Sequence, residues 1–332
     1  MPTHRRDFLK HTAGALAAAT VPAALASQPD RPFGRPFRGN DPGIDGPWDG
    51  PPVRMALKHN MIGAGDTLAD KFAIAREAGF EGVELPAPSD LDLDEAIAAS
   101  ESSGLTIIGV VGSAHWSKPL SHADSAVRTE GRHALEKAVL DCKHLGGSTV
   151  LLVPAVVNAE TSYRQAWDYS LAEIQRVVPF AREHGIRIAL ENVWNNFLLS
   201  PLETLEYIQA CNRTSSRNGG ARPGMTVGAY LDIGNLWNTG WPQHWVEALG
   251  PSIMRLDVKG YSRDIANKQG KWAGFNAEIG EGDLPWDAAC AALKEIGYTG
   301  WATAEVSGGD AARLKDIADR MQRVFAPLNT TD

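Results

Sequence analysis

Four acidic side chains each follow a β-rich run directly in the second half of the chain. They are Glu191, Asp232, Asp257 and Glu305. One acid at a strand end usually caps the next helix or binds a loop amide. Four acids that converge from consecutive strands repel one another unless a cation holds them. The pattern predicts one divalent metal ion, and oxygen ligands favour Mn²⁺ or Mg²⁺, with Zn²⁺ and Co²⁺ left open.

The rest of the chain must bring these strand ends together. The β-rich runs are Val53–Leu57, Gly82–Leu85, Thr106–Val111, Thr149–Val153, Arg187–Leu190, Thr226–Leu231, Ile253–Leu256 and Trp301–Ala304. Helical patterns between them include Asp66–Ala78, Ser125–Leu145, Ser162–His184, Pro201–Ala210, Pro242–Leu249, Pro285–Ile296 and Ala311–Phe325.

Strand and helix alternate eight times over about 270 residues, which predicts an α/β fold of the (β/α)₈ or TIM-barrel type, in a single domain at 53–326. A doubly wound sheet is the rival fold. It would carry a glycine-rich phosphate fingerprint after the first strand, and residues 58–66 lack one. In a barrel the carboxyl ends of the strands face one shared cavity, so the four acids should meet there.

Composition excludes several classes of protein. The chain has 332 residues, 43% of them hydrophobic, and a formal net charge of −8. A phosphate-backbone binder needs a basic surface, so we expect no nucleic acid partner. Three cysteines without CxxC spacing provide neither a disulfide framework nor a zinc knuckle. No apolar run has the length of a membrane span, so we expect no stable membrane insertion.

The first residues read as an export signal. Arg5 and Arg6 precede Phe8-Leu9 and an alanine-rich stretch, and Ala24-Leu25-Ala26 fits a small-x-small cleavage pattern. We therefore expect residues 1–26 to be a twin-arginine signal peptide and the protein to be periplasmic. Residues 27–52 are rich in proline and glycine, which predicts a tether rather than a domain.

Aromatic residues follow the same strands as the acids. His115 and Trp116 follow the third strand, Trp194 the fifth and Trp237 the sixth, and Trp272 lies in the long loop after the seventh. Tryptophan rings offer flat apolar faces that stack on a sugar ring, whereas amides and charges bind its hydroxyl groups. Core packing is the alternative, and it is our interpretation of the helical Trp167, Trp245 and Trp286.

Three further polar residues enter the candidate site by position. His59 ends the first predicted strand and Glu84 the second, so both are candidate substrate contacts. Lys259 lies two residues after Asp257 and shares its face if the strand continues, which makes it a candidate catalytic residue.

Five stretches give the chain a family resemblance. Together they resemble the sugar phosphate isomerase/epimerase superfamily, the xylose-isomerase-like barrels. Its members include hydroxypyruvate isomerases, ketose 3-epimerases and, more distantly, endonuclease IV. The stretches are Gly79–Pro86, Ile188–Asn192, Tyr230–Asn235, Gly280–Trp286 and Tyr298–Glu305.

The resemblance assigns roles to several residues and shows two departures. Glu191, Asp232 and Glu305 match three of the four metal ligands of the ketose 3-epimerases. Asp257 stands where those enzymes have a histidine ligand, and Asn235 stands where they usually have another histidine.

Two more positions match the family as substrate contacts. Arg263 matches a substrate-binding arginine of some epimerases, and Asn192 belongs to the matching strand-five motif.

Asp257, as a fourth carboxylate, adds negative charge to the metal site, which a shared proton or a nearby cation such as Lys259 must offset. Alternatively the metal is lost, and Asp257 forms an ion pair with Lys259 or Arg263.

The resulting hypothesis is an exported, metal-dependent isomerase or epimerase of an unphosphorylated keto-sugar. By the resemblance, Glu191 and Glu305 remove and return a proton on carbon next to a carbonyl, while the metal polarises that carbonyl. The alternatives are a lyase acting on 3-keto-glycosides and a non-catalytic carbohydrate-binding barrel. A DNA repair enzyme like endonuclease IV is disfavoured by the acidic charge. We expect a small-molecule carbohydrate as the partner and leave a homo-oligomer open.

Overall fold

The structure is a computed structural model that describes residues 50–213 and 225–329. The predicted signal peptide at 1–26 and the tether up to residue 49 lie outside the described residues.

Eight parallel strands form a closed barrel in chain order. The strands are β1 Val53–Lys58, β2 Gly82–Ala87, β3 Thr106–Gly112, β4 Thr149–Leu152, β5 Arg187–Glu191, β6 Val227–Asp232, β7 Ile253–Val258 and β8 Gly300–Ala304. Pairing of β1 with β8, from Val53 opposite Gly300 to Leu57 opposite Ala304, closes the ring. The predicted TIM barrel is confirmed.

Helices connect the strands and cover the outside of the barrel. They are α1 Leu68–Glu77, α2 Leu93–Ser103, α3 Ser125–His144, α4 Tyr163–Glu183, α5 Pro201–Asn212, α6 Ile233–Trp237, α7 Pro242–Leu249, α8 Arg263–Gln269, α9 Trp286–Glu295 and α10 Ala311–Asn329. Local sequence starts them: the Thr67 and Ser162 side chains form capping boxes at α1 and α4. In the described part of the chain, no helix combines the length and the apolar character that a bilayer crossing requires.

Three helices were not among the patterns read from the sequence, namely α2, α6 and α8. The helix α2 is rich in serine and acids, so its apolar stripe is short, with Ala96 and Ala99 as its buried residues. It ends at Gly104, whose φ of 70° lies in the left-handed region that favours glycine.

The hydrophobic core lies between the strands and the helices, and a second apolar layer fills the barrel interior. Leu151, Ala189, Tyr230 and Met254 pack together inside the barrel. Because residues two apart on a strand share a face, Glu191 follows Ala189 and Asp232 follows Tyr230 toward the carboxyl end. The apolar layer is thus the floor beneath the acids.

Candidate active site

The structure brings the four strand-end acids together. One oxygen from each of Glu191, Asp232, Asp257 and Glu305 lies within 4.8 Å of the others. Asp232 and Asp257 are register partners on β6 and β7. The first three side chains are buried, and Glu305 is the most open of the four. The acids therefore form one carboxylate cluster at the carboxyl end of the barrel.

Burial and mutual repulsion make this cluster unfavourable without positive charge. Desolvation, reinforced by the neighbouring carboxylates, raises the pKa of Glu191 and of Asp257 well above its usual value. Desolvation also raises the pKa of Asp232, although Lys259 opposes it. A positive charge next to these oxygens would stabilise the ionised cluster.

Two lysines already contribute such charge. Lys259 Nζ lies 2.7 Å from Asp232 Oδ2 and also forms an ion pair with Glu305. Lys58 Nζ lies 3.1 Å from the Asp257 carboxylate and 2.9 Å from Glu84 Oε2. The alternative pairing of Asp257 with Lys259 or Arg263 is thus not what the structure shows, because Lys58 is the cation paired with Asp257.

Lys58 was missed by the sequence reasoning, which ended the first strand at Leu57. The structure extends β1 to Lys58. Alternation then places Lys58 on the inward face together with Ala56, a residue of the barrel-interior cluster around Trp301. If the first strand had been predicted to extend to Lys58, the alternation of side chains would have placed this lysine at the carboxyl end of the barrel interior.

Glu84 belongs to a polar network below the cluster rather than to a cavity wall. Its Oε2 accepts a hydrogen bond of 2.9 Å from the Tyr230 hydroxyl, which in turn lies 2.7 Å from Thr303 Oγ1. Lys58 Nζ lies 4.7 Å above the Tyr230 ring. The Glu84 carboxylate and the Tyr230 ring therefore hold the Lys58 ammonium group in place.

His59 also lies away from the cavity. It begins a short 3₁₀ helix, His59–Met61, directly after β1, and its side chain is half-buried there. Burial, with a smaller effect of Lys71, lowers the pKa of His59 below its usual value. The structure thus does not place it with the other candidate substrate contacts.

Two asparagines fix the position of Asp232. The Asn192 side chain accepts a hydrogen bond of 2.8 Å from the Asp232 amide and donates one of 2.9 Å to its carbonyl. The Asn235 amide donates 2.9 Å to Asp232 Oδ1, and its side chain donates 3.0 Å to the Asn192 carbonyl. Both asparagines therefore orient Asp232, and Asn235 also lines the cavity.

Gly234, between these residues, makes room for Lys259. A methyl group on Gly234 would collide with Cγ of Lys259 and lie 3.1 Å from its carbonyl oxygen. Only glycine therefore allows the Lys259 stem to cross this turn and reach the acids.

The donor set fits a divalent cation. Four carboxylates from different strands offer oxygens with a largest separation of 4.8 Å, and opposite oxygen ligands of such an ion stand about 4 to 5 Å apart. Asp232 Oδ2 and Asp257 Oδ1 already face ammonium groups, at 2.7 Å from Lys259 Nζ and 3.1 Å from Lys58 Nζ, so a metal ion there would share these oxygens with the two lysines. The spacing of the four acids therefore fits one hard cation.

A cavity of about 970 Å³ opens above the carboxylate cluster. Glu191, Glu305 and Lys259 lie among its lining residues, together with His115, Trp116, Trp194 and Asn235. Trp272, Phe275, Asn276, Glu278 and Arg313 line it as well. It combines acid and base groups with aromatic walls, which is typical of small-molecule sites.

One wall is an aromatic cluster around Trp194. The Trp194 ring centroid lies 4.6 Å from that of Trp272 and 4.9 Å from that of Phe275. Its indole Nε1 donates a hydrogen bond of 3.0 Å to the Asn235 carbonyl. Hydrogen bonding and packing thus fix the orientation of this wall.

His115 and Trp116 lie on another part of the wall and make an edge-to-face contact at 5.4 Å. Burial, with a smaller effect of Lys58, lowers the pKa of His115 to about 4, so the ring is neutral at pH 7. Its Nδ1 accepts a hydrogen bond of 3.3 Å from the Val153 amide. The proton therefore sits on Nε2, which makes His115 a neutral donor beside the cavity.

Trp237 and Arg263 are directed elsewhere. The Arg263 guanidinium stacks 3.6 Å from the Trp237 ring and donates 2.7 Å to the Gly240 carbonyl. Asp283 accepts from Trp237 Nε1 at 2.6 Å and from the Arg263 amide at 2.9 Å. These bonds hold both residues outside the lining of the cavity, so the structure does not bring them to the carboxylate cluster.

Comparison with known proteins gives the family context. The family model described as xylose isomerase-like TIM barrel matches residues 72–326. L-ribulose-5-phosphate 3-epimerase UlaE of Salmonella heidelberg (strain SL476) is 24% identical over 288 residues, which span 80% of this chain and 93% of that protein.

Solved structures show the same fold. The structure of an L-ribulose 3-epimerase superposes with a TM-score of 0.66 at 18% identity, covering 83% of this chain and 95% of the other. The apo form of the E. coli 3-keto-D-glucoside 4-epimerase YcjR gives 0.66 at 13% identity, with 82% and 99% covered. The relatives are epimerases of sugars.

Proposed function

Because the chain belongs to the family of xylose isomerase-like TIM barrels, we propose that it is a metal-dependent isomerase or epimerase of an unphosphorylated keto-sugar. The observation that carries the proposal is the position of Glu191 and Glu305. Both belong to the carboxylate cluster and both line the cavity. A substrate carbonyl at the cluster would thus have a proton-transfer group within reach.

The two glutamates differ in a way that suits proton transfer. Against the desolvation of its position, Lys259 and Lys58 lower the pKa of Glu305 below its usual value, so it is ionised at neutral pH. Burial and the neighbouring acids raise the pKa of Glu191. Carboxyl groups whose pKa values are separated in this way are typical of an acid and base pair.

Each residue then has a defined task. Glu305 accepts a proton from the carbon next to the substrate carbonyl, and Glu191 donates one. Return to the opposite face of the same carbon gives an epimer, and return to the neighbouring carbon gives an isomer. Lys259 holds its ammonium group beside Glu305 at the base of the cavity, where it favours negative charge on a substrate oxygen.

Glu191, Asp232, Asp257 and Glu305 would hold the metal ion. A bound divalent cation supplies Lewis acidity that polarises the substrate carbonyl. Asn192 and Asn235 keep Asp232 oriented toward the other three acids through the hydrogen bonds described above.

An unphosphorylated substrate is supported by the loop after β8. TIM barrels that bind phosphate frequently do so at the loops after strands seven and eight, next to a helix N-terminus. Here Asp310 accepts a hydrogen bond of 3.0 Å from the Arg313 amide at the start of α10, and the Gly309 amide donates 3.0 Å to the Met61 carbonyl. An anionic cap and an already bonded amide disfavour a phosphate there.

The cationic residues that line the cavity are also committed to ion pairs. Arg313 lies 2.9 Å from Glu278 and 3.1 Å from Asp316, and Lys259 binds Asp232 and Glu305. A sugar phosphate would have to break these pairs. The substrate class therefore differs from the phosphorylated ketose named for UlaE.

A product assay tests the proposed function. The full chain, purified and loaded with Mn²⁺, is incubated with a panel of free ketoses and 3-keto-sugars, and the products are separated by chromatography with mass detection. An epimer or isomer from at least one sugar supports the proposal. Release of a leaving group instead would replace it by the lyase alternative. Binding without any product would replace it by the carbohydrate-binding barrel.

We also propose export to the periplasm by the twin-arginine route, on the basis of Arg5, Arg6 and the Ala24–Ala26 pattern. The double variant R5K/R6K should retain the precursor in the cytoplasm, whereas the unaltered chain should reach the periplasm with a new N-terminus near Ser27. Normal export of the double variant, or periplasmic protein that still begins at Met1, would contradict the proposal.

A further inference from the structure

Two tryptophans at the mouth of the cavity are unusually exposed. Trp116 is 55% exposed and Trp272 is 64% exposed, although both line the cavity above the carboxylate cluster. Trp194, deeper on the same wall, is partly buried. Large aromatic surfaces left open beside a site frequently mark a place that a ligand covers.

The two rings are held in place. The Trp272 ring centroid lies 4.6 Å from that of Trp194 and 6.2 Å from that of Phe275. Lys271 Nζ lies 5.3 Å from the Trp272 ring and 5.4 Å from the Trp194 ring, a favourable cation–π arrangement. Trp116 is in edge contact with His115 at 5.4 Å. Little side-chain freedom is therefore lost when a ligand stacks on them.

The cavity is also larger than one sugar needs. Its volume of about 970 Å³ lies at the upper end of the ~300–1,000 Å³ range of pockets that enclose drug-sized ligands. A single ketose in contact with Glu191 and Glu305 would fill the base and leave the mouth to water. The cavity lining also includes Asn276, Glu278 and Ser307, which can bind hydroxyl groups at the edge of a stacked ring.

We propose that Trp116 and Trp272 form an outer subsite for a second ring, so that the substrate is a glycoside in which a keto-sugar carries another sugar or an aromatic group. This inference rests on the proposed function, since it takes the reacting sugar to sit at the carboxylate cluster. The reacting sugar occupies the base of the cavity, and the attached ring stacks between or against the two tryptophans.

A matched pair of substrates tests it. Phenyl 3-keto-glucoside and 3-keto-glucose share the reacting ring and differ in the second ring. With the full chain loaded with Mn²⁺, the KM for the phenyl glycoside should be lower by roughly ten-fold, which corresponds to about 1.4 kcal/mol. Equal KM values for the two substrates would overturn the proposal while leaving the isomerase or epimerase reaction intact.

Variants locate the effect. Trp272→Ala and Trp116→Ala should each shrink the preference for the phenyl glycoside several-fold, mainly through KM. Trp241→Ala is the control, because that ring is 48% exposed but packs on Trp237 and Arg263 instead of lining the cavity. A preference that survives both cavity variants, or that the control reduces equally, would overturn the proposal.

A binding measurement separates the failure of this inference from the failure of the proposed function. Phenyl glucoside and glucose have no ketone, so their binding, followed by isothermal titration calorimetry and saturation-transfer NMR, does not depend on turnover. Tighter binding of phenyl glucoside that Trp272→Ala weakens supports the outer subsite even if no 3-keto-sugar reacts. Indistinguishable binding of the two compounds overturns it.

Discussion

Lys58 Nζ on β1 lies 3.1 Å from the carboxylate of Asp257 on β7, so this acid of the carboxylate cluster has its own counter-charge from a residue distant in sequence. The same ammonium group lies 2.9 Å from Glu84. Although burial alone would lower it, Asp257 and Glu84 raise the pKa of Lys58 well above its usual value. The Lys58–Asp257 ion pair offsets the negative charge that Asp257 adds, which a neutral histidine at this position would not add.

Replacing Lys58 should destabilise the protein strongly. Lys58→Met leaves Asp257 and Glu84 buried without their cation, and loss of one partner of a buried ion pair costs about 3–5 kcal/mol. Urea denaturation of metal-free protein measures the change. Lys315→Met is the control, because its pair with Asp319 is exposed and is worth less than about 1 kcal/mol. Similar small losses in both variants would contradict this role of Lys58.

The pair of hydrogen bonds between the Asn192 side chain and the Asp232 backbone, here called the Asn192 clamp, should affect metal binding rather than folding. Asn192→Ala removes both hydrogen bonds that orient the Asp232 backbone, and loss of such supporting contacts typically weakens metal binding by about 10- to 100-fold. Mn²⁺ titration of metal-free protein by calorimetry gives the affinity. An unchanged Mn²⁺ affinity would show that Asp232 does not depend on this clamp.

His115 should give the protein a pH-dependent stability. Its pKa of about 4 in the folded state lies below the value of ~6.5 expected in the unfolded chain. Between these pH values the unfolded chain binds a proton that the folded chain excludes, so its contribution is present above pH ~6.5 and lost as the pH falls toward 4.

Removal of this histidine isolates the effect. The free energy of unfolding of metal-free His115→Gln should fall less between pH 7.5 and pH 5 than that of the unaltered chain. His133→Gln, at an exposed histidine of α3, should keep the full pH dependence. If His115→Gln keeps it too, the imidazole is not held neutral as described.

Metal binding itself should raise thermal stability. A ligand that binds only the folded chain stabilises it by about 2.7 kcal/mol at 100 times its dissociation constant. Added Mn²⁺ should therefore increase Tm, and Asp232→Asn should largely abolish the increase. Asp316→Asn, on the outer helix α10, should retain it. No Tm increase with Mn²⁺ or Mg²⁺, together with no metal in elemental analysis, would contradict the metal site.

The fold was accessible from the sequence because parallel strands buried on both faces are nearly continuous apolar runs. The same periodicity placed Asp232 and Asp257, since each ends or nearly ends such a run. Lys58 escaped because its strand was predicted one residue too short. Trp237 was assigned by its place after the sixth strand and Arg263 by the family resemblance, whereas Asp283, distant in sequence, binds both and turns them away from the cavity. Contacts between loops of this kind carry no local sequence signal.

The class of reaction agrees with the relatives, which are carbohydrate epimerases. The substrate was harder to predict, because sequence order shows neither the volume of the cavity nor the exposure of its aromatic rings. Trp116 and Trp272 were candidates for stacking on a sugar from their positions after strands, and the structure adds that both line one cavity with 55% and 64% of their surface exposed.

The central claim is that Glu191 and Glu305 move a carbon-bound proton of a keto-sugar. It is tested most directly by incubating the Mn²⁺-loaded protein in D₂O with the sugar that reacts best in the product panel and following deuterium incorporation by mass spectrometry. We predict one deuterium next to the carbonyl, with incorporation lost in Glu305→Gln and in Glu191→Gln but retained in the surface variant Glu95→Gln. Conversion without deuterium incorporation, or full incorporation in both cluster variants, would contradict the account.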